Sequence, residues 1–167
     1  MKSHLKILTV LAIIFSSILP SCSKDKDENK TETIVGNWTF KDVAAKDIQT
    51  NKASNDAKFT NYLLTTLRNE NEGYTYSFSA DGVLQTQIGS SSANVNYTFT
   101  NNILTLDDDG VKTELKARLE NGLLILKLDE KDNYQNIELD KLLEMGITDI
   151  DFEVNKAVVT LHLERKK

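Results

Sequence analysis

From Trp38 onward, apolar and polar residues alternate with a period of two, and turn residues interrupt the alternation at short intervals. That is the pattern of half-buried strands joined as hairpins. In Tyr74–Ile88 a two-residue Asp81-Gly82 turn would put Phe78 and Leu84 on opposite faces. A three-residue loop, Ala80-Asp81-Gly82 with Gly82 at positive φ, pairs Phe78 with Leu84 and gathers Tyr74, Tyr76, Phe78, Leu84 and Ile88 on one face. A slip of one residue moves every side chain to the other face, so the second register is expected. A two-residue Asn101-Asn102 turn pairs Phe99 with Leu104 and Tyr97 with Leu106, because Asn tolerates the positive φ such turns need. Asn121-Gly122 pairs Leu119 with Leu124 in the same way, and Asp107-Asp108-Asp109-Gly110 leads into a strand from Val111. An Asn155-Lys156 turn would pair Val154 with Ala157, Phe152 with Val159 and Ile150 with Leu161. Asp149, Asp151, Glu153, Thr160, His162 and Glu164 would then face water.

Two segments leave this pattern. Residues 54–69 place Phe59, Tyr62, Leu63, Thr66 and Leu67 at helical spacing, with Ser54, Asn55 or Asp56 to cap the N-terminus. Residues 136–145 place Leu139, Leu142 and Leu143 on a short helix stopped by Gly146. The fold class is therefore all-β with two short helices. Successive hairpins with one apolar face must cover that face, and closing the sheet does so. An antiparallel up-and-down β-barrel of roughly eight to ten strands is expected, with a two-sheet sandwich as the alternative. The inward face collects Trp38, Tyr97, Phe99, Val111 and Ile150 besides the residues already named, and it carries no charge. Bulky side chains of this kind fill a small barrel; if they leave a cavity, its ligand is apolar, with Tyr74, Tyr76 or Tyr97 reaching one polar group. Outward Val158 and Ile125 are the only hint of an exposed apolar patch.

The first thirty residues are organised differently. The run from Ile7 to Leu19 is apolar except for Thr9, Ser16 and Ser17, too short for a bilayer span of roughly 20 residues. Lys2 and Lys6 precede it and Ser21 follows, as in a secretory signal peptide at 1–21. Cys22 is the one cysteine of the 167-residue chain, so it has no internal disulfide partner. Leu19-Pro20-Ser21-Cys22 resembles the lipobox of bacterial lipoproteins, with Pro20 a departure from the commonest pattern. The resemblance implies that the Cys22 sulfur is the lipid attachment point and becomes the new N-terminus. Two or more acyl chains, at about 0.8 kcal/mol per buried methylene, hold a protein stably on a membrane. Residues 22–33 cannot build a core and read as a charged tether. The charges after Cys22 also resemble the export signal of surface lipoproteins in the Bacteroidetes, which implies an outer membrane lipoprotein on the periplasmic face or the cell surface.

Gly36-Asn37-Trp38 at the head of the meander resembles the Gly-X-Trp signature of lipocalins. Tyr76–Gly82 and Tyr97–Leu106 resemble strand-turn-strand patterns of the lipocalin-like lipoproteins of Bacteroidetes. The resemblance covers a domain at 34–167 and implies a lipocalin-like barrel, in a family whose members commonly bind small apolar molecules and often have no assigned function. The segment at 54–69 departs from true lipocalins, where a long loop follows the first strand. Ligand or core contacts fall on Trp38, Tyr74, Tyr76, Phe78, Tyr97 and Phe99, with Trp38 read as a plug for one barrel end.

Candidate chemistry changes little in this picture. Cleavage before Cys22 removes Lys2 and Lys6 and no acid, taking the net charge from -5 to -7. Nucleic acid and anionic membrane surfaces both call for a basic patch, so neither is expected as a partner. The remaining histidine, His162, is expected on an outward face beside Asp149, as a surface pair and not a catalytic dyad. Zinc would lack His and Cys ligands, and the Asp107–Gly110 turn does not match the calcium-loop spacing. No metal, cofactor or enzymatic activity is expected. The sequence thus reads as a lipid-anchored, non-enzymatic envelope protein that takes either a small apolar ligand or a protein partner.

Overall fold

The computed structural model describes residues 33–166. The signal segment at 1–21, Cys22 and the tether through residue 32 lie outside the described residues. The elements run β1 (Gly36–Thr50), α1 (Ala53–Asn71), β2 (Thr75–Phe78), β3 (Val83–Ile88), β4 (Ser91–Thr100), β5 (Ile103–Asp108), β6 (Val111–Glu120), β7 (Leu123–Asp129), a 3-10 turn (Lys131–Tyr134), α2 (Leu139–Glu144) and β8 (Val154–Arg165). The eight strands pair in sequence order, all antiparallel, and β8 returns to β1 to close the barrel. Every strand is paired on both sides over at least part of its length, which settles the choice between barrel and sandwich. Outward positions such as Gln85, Asn94, Lys116 and Arg118 are exposed. The wall is therefore polar outside and apolar inside, the inverse of a barrel that faces lipid.

Local turn chemistry sets the hairpin registers. Phe78 pairs with Leu84 across Ala80-Asp81-Gly82, and Gly82 has φ +85°. Phe99 pairs with Leu104 across Asn101-Asn102, whose φ values are 53° and 62°. Leu119 pairs with Leu124 across Asn121-Gly122. The acidic stretch resolves into a tight Asp109-Gly110 turn, with Asp108 opposite Val111.

The last expected hairpin does not form. Asn155 and Lys156 lie inside β8, one strand flanked by β7 and β1. Residues 149–153 instead tie down the start of α1. The Asp149 carboxylate accepts from Lys52 Nζ at 2.5 Å and Asn55 Nδ2 at 2.8 Å, and Asn51 donates to the Asp151 carbonyl. These groups converge where a helix has unpaired N–H groups and a partial positive charge. Ile150, expected in the core, is 83% exposed as a result. Val111 at 66% and Ile88 at 38% also leave the core at strand ends. Ile125 moves the other way: expected as part of an exposed patch, it is buried, between Arg118 and His162 on the flanking strands. Val158 is half-buried. Thr160, expected to face water, is buried.

Helix α1 replaces a stretch of wall. β2 pairs with β1 only over Gly36–Thr39, and α1 runs back along the remainder of β1. At its C-terminal end Arg68 donates to the Val43 carbonyl at 3.2 Å and the Asp42 carboxylate at 2.8 Å. At its N-terminal end Asp56 accepts from Thr50 N and Oγ1 at 2.8 and 2.7 Å. Asp56 is therefore engaged with β1, and the N-cap is Lys52 with no side-chain cap, not Ser54, Asn55 or Asp56. Phe59, Leu63 and Leu67, one turn apart, are buried in the same apolar cluster as the barrel interior. Each such side chain contributes about 1.5–3 kcal/mol on burial. α2 is stopped by Gly146 at φ +71°, but Leu139 and Leu143 on it are exposed.

Candidate functional site

The barrel interior is the site that the alternating pattern singles out, and its aromatic residues fall in separate places. Trp38 is buried near the N-terminal end of β1. Its Nε1 donates to the Ile34 carbonyl at 2.7 Å, and the Arg165 guanidinium lies 4.7 Å from its ring centroid. Phe78 and Tyr97 are both buried and meet edge to face, 5.1 Å apart. The Tyr97 hydroxyl donates to the Ser79 carbonyl at 2.7 Å. Tyr74 and Tyr76 sit together, ring centroids 6.2 Å apart, toward the end of α1. The Tyr76 hydroxyl donates to Asn71 Oδ1 at 2.9 Å. Phe99 is half-buried opposite Leu104.

Burial pushes the Tyr76 hydroxyl pKa well above the ordinary tyrosine value, and the neighbouring Tyr74 adds to this. Tyr97 is raised as well, by burial first and then by Asp81. Both hydroxyls stay protonated at physiological pH, as donors held by the chain itself. The polar tips of Trp38, Tyr97 and Tyr76 therefore point at a carbonyl, a carbonyl and an amide of this protein. Among the described residues, no buried side-chain nitrogen or oxygen is left without a hydrogen bond. Eight strands enclose an interior just wide enough for side chains to fill or for one small ligand.

The expected His162–Asp149 pair is not formed. Asp149 is held at the start of α1, and the residue opposite His162 in the ladder is Asp42. His162 Nε2 lies 3.1 Å from Thr160 Oγ1. Asp42 is held below the usual carboxylate range chiefly by its hydrogen bond from Arg68. Asp107 Oδ1 accepts from Gly110 N at 2.9 Å, so this acid shapes its own turn. Among the described residues no group of three or more His, Cys, Asp or Glu is arranged to hold a metal ion. None of the described helices is long and apolar enough to cross a membrane.

Two features escaped the sequence reading. Glu130, at the joint between β7 and the 3-10 turn, is buried, and its carboxylate accepts from Asn133 Nδ2 at 2.7 Å. A groove of about 480 Å³ lies outside the barrel, between α1 and the end of α2, lined by Lys58, Tyr62, Thr65, Thr66, Glu144 and Met145. Neither has a local sequence signal, since each depends on the docking of segments far apart in the chain.

No family model matches the sequence, and no curated protein matches it. Among solved structures, the chain is similar to a DUF4847 family protein from Bacteroides vulgatus ATCC 8482. The two are 10% identical, with a TM-score of 0.40, over 79% of this chain and 93% of that one.

Proposed function

We propose that this protein is a lipid-anchored, non-enzymatic module of the cell envelope, built on a lipocalin-like barrel that is a filled scaffold and not a carrier. The protein is held by lipid on Cys22 and meets its partner through its outer surface. One observation carries the filled-scaffold reading: the polar atoms of Trp38, Tyr76 and Tyr97 are each satisfied by the protein's own Ile34, Asn71 and Ser79. A ligand site needs a few convergent polar groups to orient its guest, and these three are already used. The lipobox-like Leu19-Pro20-Ser21-Cys22 supports the anchor.

Titration with a neutral apolar naphthylamine probe tests the scaffold. No saturable rise in fluorescence is expected, and stoichiometric uptake quenched by Tyr76→Ala would overturn the reading. Metabolic labelling with palmitate tests the anchor separately: label is expected on the protein and is expected to vanish in Cys22→Ala.

A further inference from the structure

Charge is distributed very unevenly around the barrel wall. Charged residues make up 27% of the chain, yet from Gly73 to Leu106 the only one is Asp81. This stretch builds β2, β3, β4 and the start of β5, adjacent strands of the wall. Their outward positions align in the ladder: Ser77 opposite Gln85, Gln85 opposite Asn94, and Thr98 opposite Thr105. Gln85, Asn94, Asn96 and Thr98 are exposed. Among the described residues none of these side chains makes a hydrogen bond, whereas some outward residues elsewhere form ion pairs. Arg118 meets Glu120 at 2.8 Å, Lys156 meets Asp47 at 3.1 Å, and Lys41 meets Glu164 at 3.6 Å. A solvated surface usually mixes about 25–35% charged residues of both signs, so the uncharged outward faces of β2, β3 and β4, bordered by Asp107 of β5 opposite Asn96, depart from the norm.

We propose that this face binds a neutral polysaccharide, an uncharged hydroxyl-rich polymer. The inference rests on the scaffold reading above, in which the outer surface does the recognising. Amides and hydroxyls both donate and accept, which matches the hydroxyls of a sugar chain, and the absence of charge gives no preference for an ionic partner. Half-buried Val83 and Ile103 are set among these positions, opposite Asn96 and Thr100, and offer apolar contact to the C–H face of a sugar ring. Size argues against a protein occupant. Four strands at about 4.8 Å spacing and five or six residues at about 3.3 Å give roughly 300 Å². A stable protein interface takes about 800 Å² from each partner. β3 and β4 are paired on both sides, so the amides they carry are held at fixed spacing.

The test is co-sedimentation of the full-length protein, in mild detergent, with cross-linked dextran, galactomannan and cellulose, with carboxymethyl-dextran as the charged control. Binding to at least one neutral matrix and none to the charged control is expected. A Gln85→Ala/Asn94→Ala/Asn96→Ala variant is expected to lose at least tenfold in bound fraction. The isosteric Asn94→Asp variant, whose cross-strand partner is Gln85, should also lose binding, with an unchanged melting midpoint. Lys116→Gln on the charged wall should bind as the parent does. Retention by none of the three neutral matrices, or binding that survives the Asn→Asp exchange, overturns the proposal. Neither result bears on the scaffold reading, which the apolar probe tests on its own.

Discussion

The Arg165 guanidinium lies over the Trp38 ring, 4.7 Å from its centroid, and the two residues are direct partners in the β1–β8 ladder. One is near the start of the barrel's first strand and the other ends its last, so the pair fastens the seam where the sheet closes. Arg165 also donates to the Thr33 and Val35 carbonyls at 2.8 and 3.3 Å, while Trp38 Nε1 donates to Ile34. The segment before β1 is thus folded back over the ring. Gly36 belongs to this closure: its φ is +133°, and a Cβ there would come within 3.1 Å of Arg165 Nη1.

Arg165→Ala is expected to lower stability by about 1–2 kcal/mol in urea unfolding, the combined loss of a stacked cation and hydrogen bonds to exposed carbonyls. Arg165→Lys is expected to restore less than half, because an ammonium keeps the charge but lacks the planar fork that stacks and donates twice. Full rescue by lysine would mean that charge alone matters at the seam.

Phe59 joins α1 to the core, with Phe152 at 5.7 Å and Tyr134 at 5.5 Å, both edge to face. Phe59→Ala is expected to cost about 3–5 kcal/mol, since the cavity left under a helix that replaces a strand has rigid walls. Leu139→Ala, at a residue 54% exposed, is expected to stay within about 0.5 kcal/mol. Chemical denaturation of the two variants side by side measures the difference.

Glu130 makes stability depend on pH in an unusual direction. Burial, the largest cause, raises its pKa above the ordinary 4.5, the Asn133 hydrogen bond opposes this, and nearby Asp129 adds to it. A carboxyl raised in the folded state binds its proton more tightly folded than unfolded. Its contribution is therefore fully present below the ordinary pKa and is lost as pH rises through the raised value. Glu130→Gln is expected to raise the melting midpoint near neutral pH, with the gain shrinking to nothing as pH falls below the ordinary carboxylate range. A gain that stays constant with pH would assign the effect to packing. Asp42, held low by Arg68, contributes with the opposite sign, and Asp42→Asn is expected to lower the midpoint near neutral pH and leave it unchanged in acid.

Asn101 and Asn102 both adopt left-handed backbone, at φ 53° and 62°. Asn101→Gly is expected to be close to neutral, and Asn101→Val to cost about 1–2 kcal/mol, because a β-branched side chain is strained there. Thermal unfolding of the two variants tests the turn directly.

These turns explain why so much of the fold was legible in the sequence. The registers of Phe78 with Leu84, Phe99 with Leu104 and Leu119 with Leu124 follow from turn residues within a few positions of each pair. The segment 149–153 departs from its pattern because Asp149, Ile150, Asp151, Phe152 and Glu153 continue the alternation of β8 without being part of the strand. Their conformation is decided by Lys52, Asn51 and Asn55, roughly a hundred residues earlier, which no local pattern reveals. The N-cap of α1 was misplaced for a related reason: Asp56, a good cap by type, is engaged by Thr50 of β1. At the candidate site, the aromatic residues of the interior were legible from their alternation. The partners that occupy their polar tips were not, since Asn71 meets Tyr76 through the way α1 ends before β2, and Ser79 meets Tyr97 only once β3 and β4 have folded back beside it. The neutral face was open to view as a run with a single charge, but its meaning depends on the closure that places β2 to β5 side by side.

The central claim is a filled barrel, and native mass spectrometry of the full-length protein, released from mild detergent, tests it most directly. The account predicts a mass that carries only covalent lipid and does not change after extraction with organic solvent. A discrete added mass that disappears on extraction would contradict it and would make the interior a binding site.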